Sequence, residues 1–132
     1  MDNFTLGDEL TAQYSVSQEV YMGFLDVFKD NNPMHTSADY AAKYGFKEIV
    51  IHGNILNGFI SNFIGTKLPT KNLVIIAQQI KFRNPVYLND RIQIKSIVNE
   101  IHEAFGLVIL KMLLTNHKGH KVANCTVEVK IL

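Results

Sequence analysis

The stretch HGNILNGFISNFIGTKLP, residues 52 to 69, limits the possible folds more than any other part of the chain. Ile55, Leu56, Phe59, Ile60, Phe63 and Ile64 recur at i, i+1, i+4, i+5, i+8 and i+9, one face of an α-helix. The opposite face holds Asn54, Asn57, Gly58, Ser61, Asn62 and Gly65, and no charge. A solvated helix face ordinarily carries Lys or Glu. An uncharged polar face marks a helix wrapped by protein, with one side lining a site or lying against strands. Close packing accounts for the glycines, but the three asparagines call for polar partners. The helix is expected over Gly53 to Lys67.

What wraps it follows downstream, where residues 72 to 132 read as strands. LVIIAQQIKF is one. RIQIKSIVNEIH alternates, with Ile92, Ile94, Ser96 and Val98 on one side. GLVILKMLLTN sets Val108, Leu110, Met112 and Leu114 on one face, and KVANCTVEVKIL does the same with Val127, Val129 and Ile131. NHKGHK forms a hairpin turn with Gly119 available for positive φ, so the last two strands are antiparallel neighbours. Upstream, ELTAQYSVS alternates loosely as a strand. Ser17 or Ser15 caps QEVYMGFLDVFKD, in which Val20, Phe24, Val27 and Phe28 keep helical spacing. TSADYAAKYG is a short helix capped by Thr36 or Ser37 and stopped at Gly45. The expected architecture is α+β, a long antiparallel sheet with one largely buried helix laid across it. A single copy leaves sheet edges and one face uncovered. Pairing with a second copy covers them, so a homodimer or higher homo-oligomer is expected.

The chain has 132 residues and no linker, repeat or low-complexity tract, which suits one domain spanning 1–132. Its 13 basic and 12 acidic residues are interspersed, so neither nucleic acid nor a membrane surface is an expected partner. No apolar run reaches membrane-spanning length. The acidic stretch from Met1 to Leu10 does not read as a signal peptide, and a cytoplasmic protein is expected. The single cysteine, Cys125, lies in an apolar strand and reads as core rather than nucleophile.

The chemistry concentrates in DNNPMH, residues 30 to 35. Pro33 fixes its own φ and pushes Asn32 towards an extended conformation, so the loop is stiff. Asn31 and Asn32 can bond to nearby backbone and lock the turn. Asp30 and His35, held together, form a general acid/base pair. The same letters also suit a plain turn that starts a helix, and spacing alone favours that plainer reading. VIHGN, residues 50 to 54, adds a second element. Gly53 opens the asparagine-lined helix, whose first N–H groups are free to meet an oxygen that gains negative charge. An acid/base pair beside an oxyanion site is the minimum kit for chemistry next to a thioester or ester carbonyl.

These residues carry a family resemblance. FKDNNPMH, then AAKYGFKEIVIHGNIL, then FRNPVY at 82 to 87, resemble the MaoC-like family of R-specific enoyl-CoA hydratases and 3-hydroxyacyl dehydratases, over nearly the whole chain. The resemblance implies a hot-dog fold, with a sheet wrapped around the helix 53–67. It implies reversible addition of water to trans-2-enoyl thioesters, giving (R)-3-hydroxyacyl thioesters. Asp30 and His35 match the family's catalytic pair, and Gly53 matches the glycine whose N–H polarises the thioester carbonyl. Ser61 matches a serine lining the site, and Asn32 and Pro33 match the loop scaffold. No metal or cofactor is implied; CoA or acyl carrier protein enters only as the substrate's carrier. One departure is Lys29, where the family usually has glycine or a small or acidic residue. It either lies in solvent or brings positive charge towards Asp30 and weakens it as a base.

His52 reads as a hydrogen-bonded scaffold. His102, His117 and His120 read as solvated, Lys81 and Arg83 as strand residues within reach of a carrier's phosphates, and one of Gln78 and Gln79 must face the helix. Two alternatives stand beside the hydratase. A hot-dog thioesterase would need a carboxylate on or near the central helix, and residues 53 to 66 hold none. A non-catalytic acyl-binding or assembly subunit would keep the fold without needing Asp30 and His35.

Overall fold

The computed structural model describes residues 3–132; Met1 and Asp2, part of the acidic stretch considered above, lie outside the described residues. Five strands, β1 (Glu9–Ser15), β2 (Leu73–Phe82), β3 (Arg91–His102), β4 (Leu107–Asn116) and β5 (Lys121–Ile131), form one antiparallel sheet in the order β1-β3-β4-β5-β2. The register aligns the apolar alternation of each strand with that of its neighbours. One row runs Leu10, Ser96, Met112, Cys125, Ile80 across the whole sheet. Such rows gather Ile92, Ile94, Val98, Val108, Leu110, Leu114, Val127 and Val129 on a single buried face.

A long helix lies on that face. Among four helices, α1 (Gln18–Phe28), α2 (Pro33–Thr36), α3 (Ala38–Lys43) and α4 (Asn54–Thr66), it is α4 that supplies Ile55, Leu56, Phe59, Ile60, Phe63 and Ile64 to the core. Gly53 and Lys67, read as the helix ends, are its two caps. This is the hot-dog arrangement. The polar face of α4 also finds partners. Asn62 accepts from the Tyr14 hydroxyl at 2.8 Å, and Asn57 accepts from Gln78 Nε2 at 2.6 Å. Asn57 in turn donates to Asn54 at 2.8 Å. Asn62 and Asn57 thus tie α4 to β1 and β2 on either side, with Asn54 bonded to Asn57. Yet the face is not enclosed in one copy, because Asn54, Gly58, Ser61, Asn62 and Gly65 are exposed.

The N-terminal elements follow their caps. Ser17, not Ser15, accepts from the Val20 N–H at 3.1 Å and starts α1. Ser37, not Thr36, accepts from the Tyr40 N–H at 3.2 Å and starts α3. Between them the expected stiff loop contains a turn of helix, α2. Pro33 occupies its first turn, where the missing N–H is no loss, and Asn32 caps it. The 3-10 turn at Glu103–Phe105 was not foreseen; it bridges β3 and β4 and closes on Gly106 at φ 62°.

Candidate active site

The site begins where α1 ends. Lys29 takes the left-handed conformation, φ 57° and ψ 28°, that closes a helix and favours glycine. Its ammonium donates back to the Asp26 carbonyl at 3.1 Å. The charge is therefore tied to the end of α1, the solvated one of the two placements open to this lysine. The reversed backbone carries Asp30 away from the helix. Asp30 Oδ1 accepts from the Asn32 N–H at 3.3 Å, and Asn32 Oδ1 accepts from the Met34 N–H at 2.9 Å. Two consecutive side-chain turns thus hold the loop, as its sequence suggested.

His35 is fixed from three directions. Its N–H donates to the Asn32 carbonyl at 2.8 Å, and its own carbonyl accepts from the Tyr21 hydroxyl at 2.6 Å. Its ring Nδ1 lies 2.6 Å from the Val50 carbonyl. A carbonyl only accepts, so Nδ1 carries the proton, and in the neutral ring the lone pair sits on Nε2. Nε2 is 3.8 Å from Asp30 Oδ2. The Asp30 side chain is 50% exposed and that of His35 20%. Two proton acceptors therefore stand side by side at the mouth of a cavity.

His52 ties this pair to the core. It is 2% exposed, and its ring packs against Phe24 at 4.7 Å, Tyr21 at 5.9 Å and His35 at 4.1 Å between centroids. Its Nε2–H donates to the Asp30 carbonyl at 2.7 Å. That fixes the tautomer and leaves Nδ1 buried with no partner. A buried unsatisfied acceptor costs about 1–3 kcal/mol. The bond to Asp30 is what this histidine secures in exchange. Asp30, His35 and His52 place potential ligand atoms within 4.8 Å of one another. However, His52 gives its Nε2 proton to a carbonyl and its Nδ1 is sealed from solvent, so of these three only Asp30 and His35 offer lone pairs to the cavity. A catalytic zinc site takes three protein ligands, one more than this group offers.

Gly53 borders the same cavity, of about 470 Å³, with Asp30, His35, Phe82 and Arg83. A Cβ on Gly53 would stand 2.9 Å from the Phe82 ring, so the glycine lets Phe82 close on the helix start. Among the described residues nothing accepts from the Gly53 N–H. Ser61, two turns along α4, is exposed and lines neither this cavity nor the second one bordering Asp30. Of the two basic residues weighed for a carrier, Arg83 borders the cavity and Lys81 does not. His102 pairs with Glu100 at 2.8 Å, and His117 accepts from the Arg91 N–H at 3.3 Å. Burial pushes the Cys125 thiol up to about 11, which keeps it protonated and unreactive. Sequence reading did not find Tyr21, and it placed Phe24 only in the apolar stripe of α1. Both sit on the face that α1 turns inward, and nothing in their spacing tells that they hold His35 and His52.

The family model for the MaoC-like domain matches residues 5–117. The chain is 36% identical over 86 residues to a 3-hydroxybutyryl-CoA dehydratase of Methylorubrum extorquens, covering 65% of this chain and 55% of that protein. The chain thus spans about half of that relative's length. It is 30% identical over 126 residues to an (R)-specific enoyl-CoA hydratase of Rhodospirillum rubrum, covering 96% of this chain and 80% of that one. Among solved structures, an unliganded R-hydratase of Pseudomonas aeruginosa superposes with a TM-score of 0.87 at 28% identity, over 97% of this chain and 82% of the other.

Proposed function

Because the chain belongs to the MaoC-like family, we propose that it adds water reversibly to trans-2-enoyl thioesters, giving (R)-3-hydroxyacyl thioesters. The observation that carries this reading is the placement of two lone pairs, on Asp30 and on His35 Nε2, 3.8 Å apart. One water oxygen about 2.8 Å from each would point its two protons at the two acceptors and its own lone pair into the cavity. The water attacks C3 as one of the pair takes its proton. A proton is returned to C2 on the same face, so H and OH are added and nothing else is consumed. As the C–O bond forms, charge moves to the thioester oxygen. The Gly53 N–H, at the positive end of α4, stabilises it. Dehydration runs the same steps backwards.

In this scheme Asp30 and His35 are catalytic and Gly53 is the oxyanion donor. Asn32 and Pro33 hold the loop, and Ser61, outside both cavities that border Asp30, is assigned to substrate binding by the family resemblance alone. No metal or redox cofactor is required; CoA or acyl carrier protein comes with the substrate, its phosphates towards Arg83. The working unit is a homodimer in the cytoplasm. The thioesterase reading lacks its carboxylate, since α4 has neither Asp nor Glu. The binding-subunit reading leaves the paired acceptors without a task. The test is incubation with crotonyl-CoA, following the loss of enoyl-thioester absorbance and the chirality of the product. The (R)-3-hydroxy product supports the reading. Release of free CoA thiol without hydration favours the thioesterase, and binding without turnover favours the assembly subunit.

A further inference from the structure

One of the three asparagines on the polar face of α4 is not accounted for by packing. Asn62 and Asn57 each accept from a neighbouring strand, but Asn54 meets only Asn57. Nor does Asn54 serve the helix end. The start of α4 has no side-chain cap, although asparagine is a favoured capping residue. As the first residue of the helix proper, asparagine is also a weaker helix former than alanine or leucine.

The hydrogen bonds that reach Asn54 run in one direction. Gln78 Nε2 donates to Asn57 Oδ1 at 2.6 Å, and Asn57 Nδ2 donates to Asn54 Oδ1 at 2.8 Å. The chain ends on the Asn54 NH2 group, which has no acceptor among the described residues. A carboxamide is planar, so one whose oxygen is held by Asn57 turns its NH2 away from that residue. Asn54 borders the cavity of Asp30, His35 and Gly53. The Gly53 N–H, one residue earlier, also lacks an acceptor among the described residues. Two unused donors thus stand on consecutive residues at the border of a cavity that Asp30 and His35 supply with acceptors.

We propose that Asn54 is a catalytic residue, whose Nδ2–H donates together with the Gly53 N–H to the thioester oxygen. The proposal rests on the hydratase reading and adds to it a residue that the family resemblance does not assign. As the water oxygen bonds to C3, the electrons of the double bond move through C2 to the thioester oxygen, which gains negative charge. Two donors stabilise that charge more than one, and neither gives up its proton. C2 takes its proton from the acid/base pair, so the overall addition of H and OH is unchanged. Asn57 and Gln78 do not touch the substrate. They are positioning residues that hold the amide in place before the charge develops, so it need not reorganise during the reaction.

The test compares wild type with Asn54→Met, Asn54→Gln and Asn57→Ala in the hydration of crotonyl-CoA. Asn54→Met fills similar space and loses the donor. Its kcat is expected to fall about a hundredfold with KM nearly constant, because the bond strengthens only as charge develops. Asn54→Gln keeps an NH2 within reach and is expected to recover part of that loss. Asn57→Ala frees the amide without removing it, and kcat is expected to fall about tenfold. A second readout needs no turnover. Butyryl-CoA has no double bond to hydrate, and the infrared stretch of its bound thioester carbonyl is expected at lower frequency in wild type than in Asn54→Met, since each donor weakens the C=O bond. A stretch that does not move overturns the proposal whatever the rates, and so does a folded Asn54→Met with wild-type kcat. A fall in kcat that tracks a change in oligomeric state overturns it as well, since Asn54 is then a contact between copies. A wild type inactive on every enoyl thioester refutes the hydratase reading itself, and this assignment with it.

Discussion

At the scale of single residues, the site depends on backbone positions as much as on its acids and bases. Lys29 occupies a left-handed position that costs an L-residue about 1–2 kcal/mol. Lys29→Gly is therefore expected to raise stability by about 1 kcal/mol, read as a denaturant midpoint, and to leave turnover unchanged, since the ammonium bonds Asp26 and not Asp30. His52 acts through Asp30. His52→Leu keeps the packing volume and loses the donor, and kcat is expected to fall about a hundredfold, with KM nearly constant. His52→Gln retains an N–H in a similar place and is expected to recover part of that loss, which a merely space-filling role would not produce. Cys125 gives a pH test. Its thiol is raised from 9.0 to about 11 in the folded state. Above the unfolded value the unfolded chain binds fewer protons than the folded one, so this contribution to stability is complete below pH 9 and is lost towards pH 11. Thermal melts of wild type and Cys125→Ala should therefore converge as pH rises through that window.

At the scale of elements, the strands and the central helix could be read from the sequence because their periodicity is strong and their faces are one-sided. RIQIKSIVNEIH shows its buried face outright, and the stripe on α4 shows both faces. Other features could not be read. Pro33–Thr36 is too short for periodicity; the Asn32 cap, Pro33 in the first turn and the Ser37 N–H bonded to the Pro33 carbonyl make it helical. Asp30 and His35 were visible as a pair. The bonds that orient them come from Tyr21 and Val50, 14 and 15 residues from His35, and no local pattern encodes those. Ser17 supplies a direct check on the N-terminal elements. Ser17→Ala removes the cap of α1 and is expected to cost about 1 kcal/mol by denaturant unfolding.

At the scale of the whole molecule, one copy leaves a sheet edge open. Among the described residues β2 pairs only with β5, and Val74, Ile75, Ile76 and Phe82 along it are exposed. A long apolar edge of this kind ordinarily pairs with another strand. The exposed uncharged face of α4 lies beside it, linked through Gln78 and Asn57. A second copy docked edge to edge on β2 would cover both. Ile76→Lys is expected to convert a dimer to a monomer in sedimentation analysis. Turnover should fall with it, because Phe82 at the end of the same strand borders the cavity of Asp30 and His35.

The central claim is that Asp30 and His35 together activate water on an enoyl thioester. The most direct measurement is hydration of crotonyl-CoA by wild type, Asp30→Asn and His35→Ala, with circular dichroism confirming that all three are folded. The expected result is steady loss of enoyl absorbance with wild type and a fall of about a hundredfold or more in each variant. Equal rates in all three folded proteins would contradict it and leave DNNPMH a structural turn.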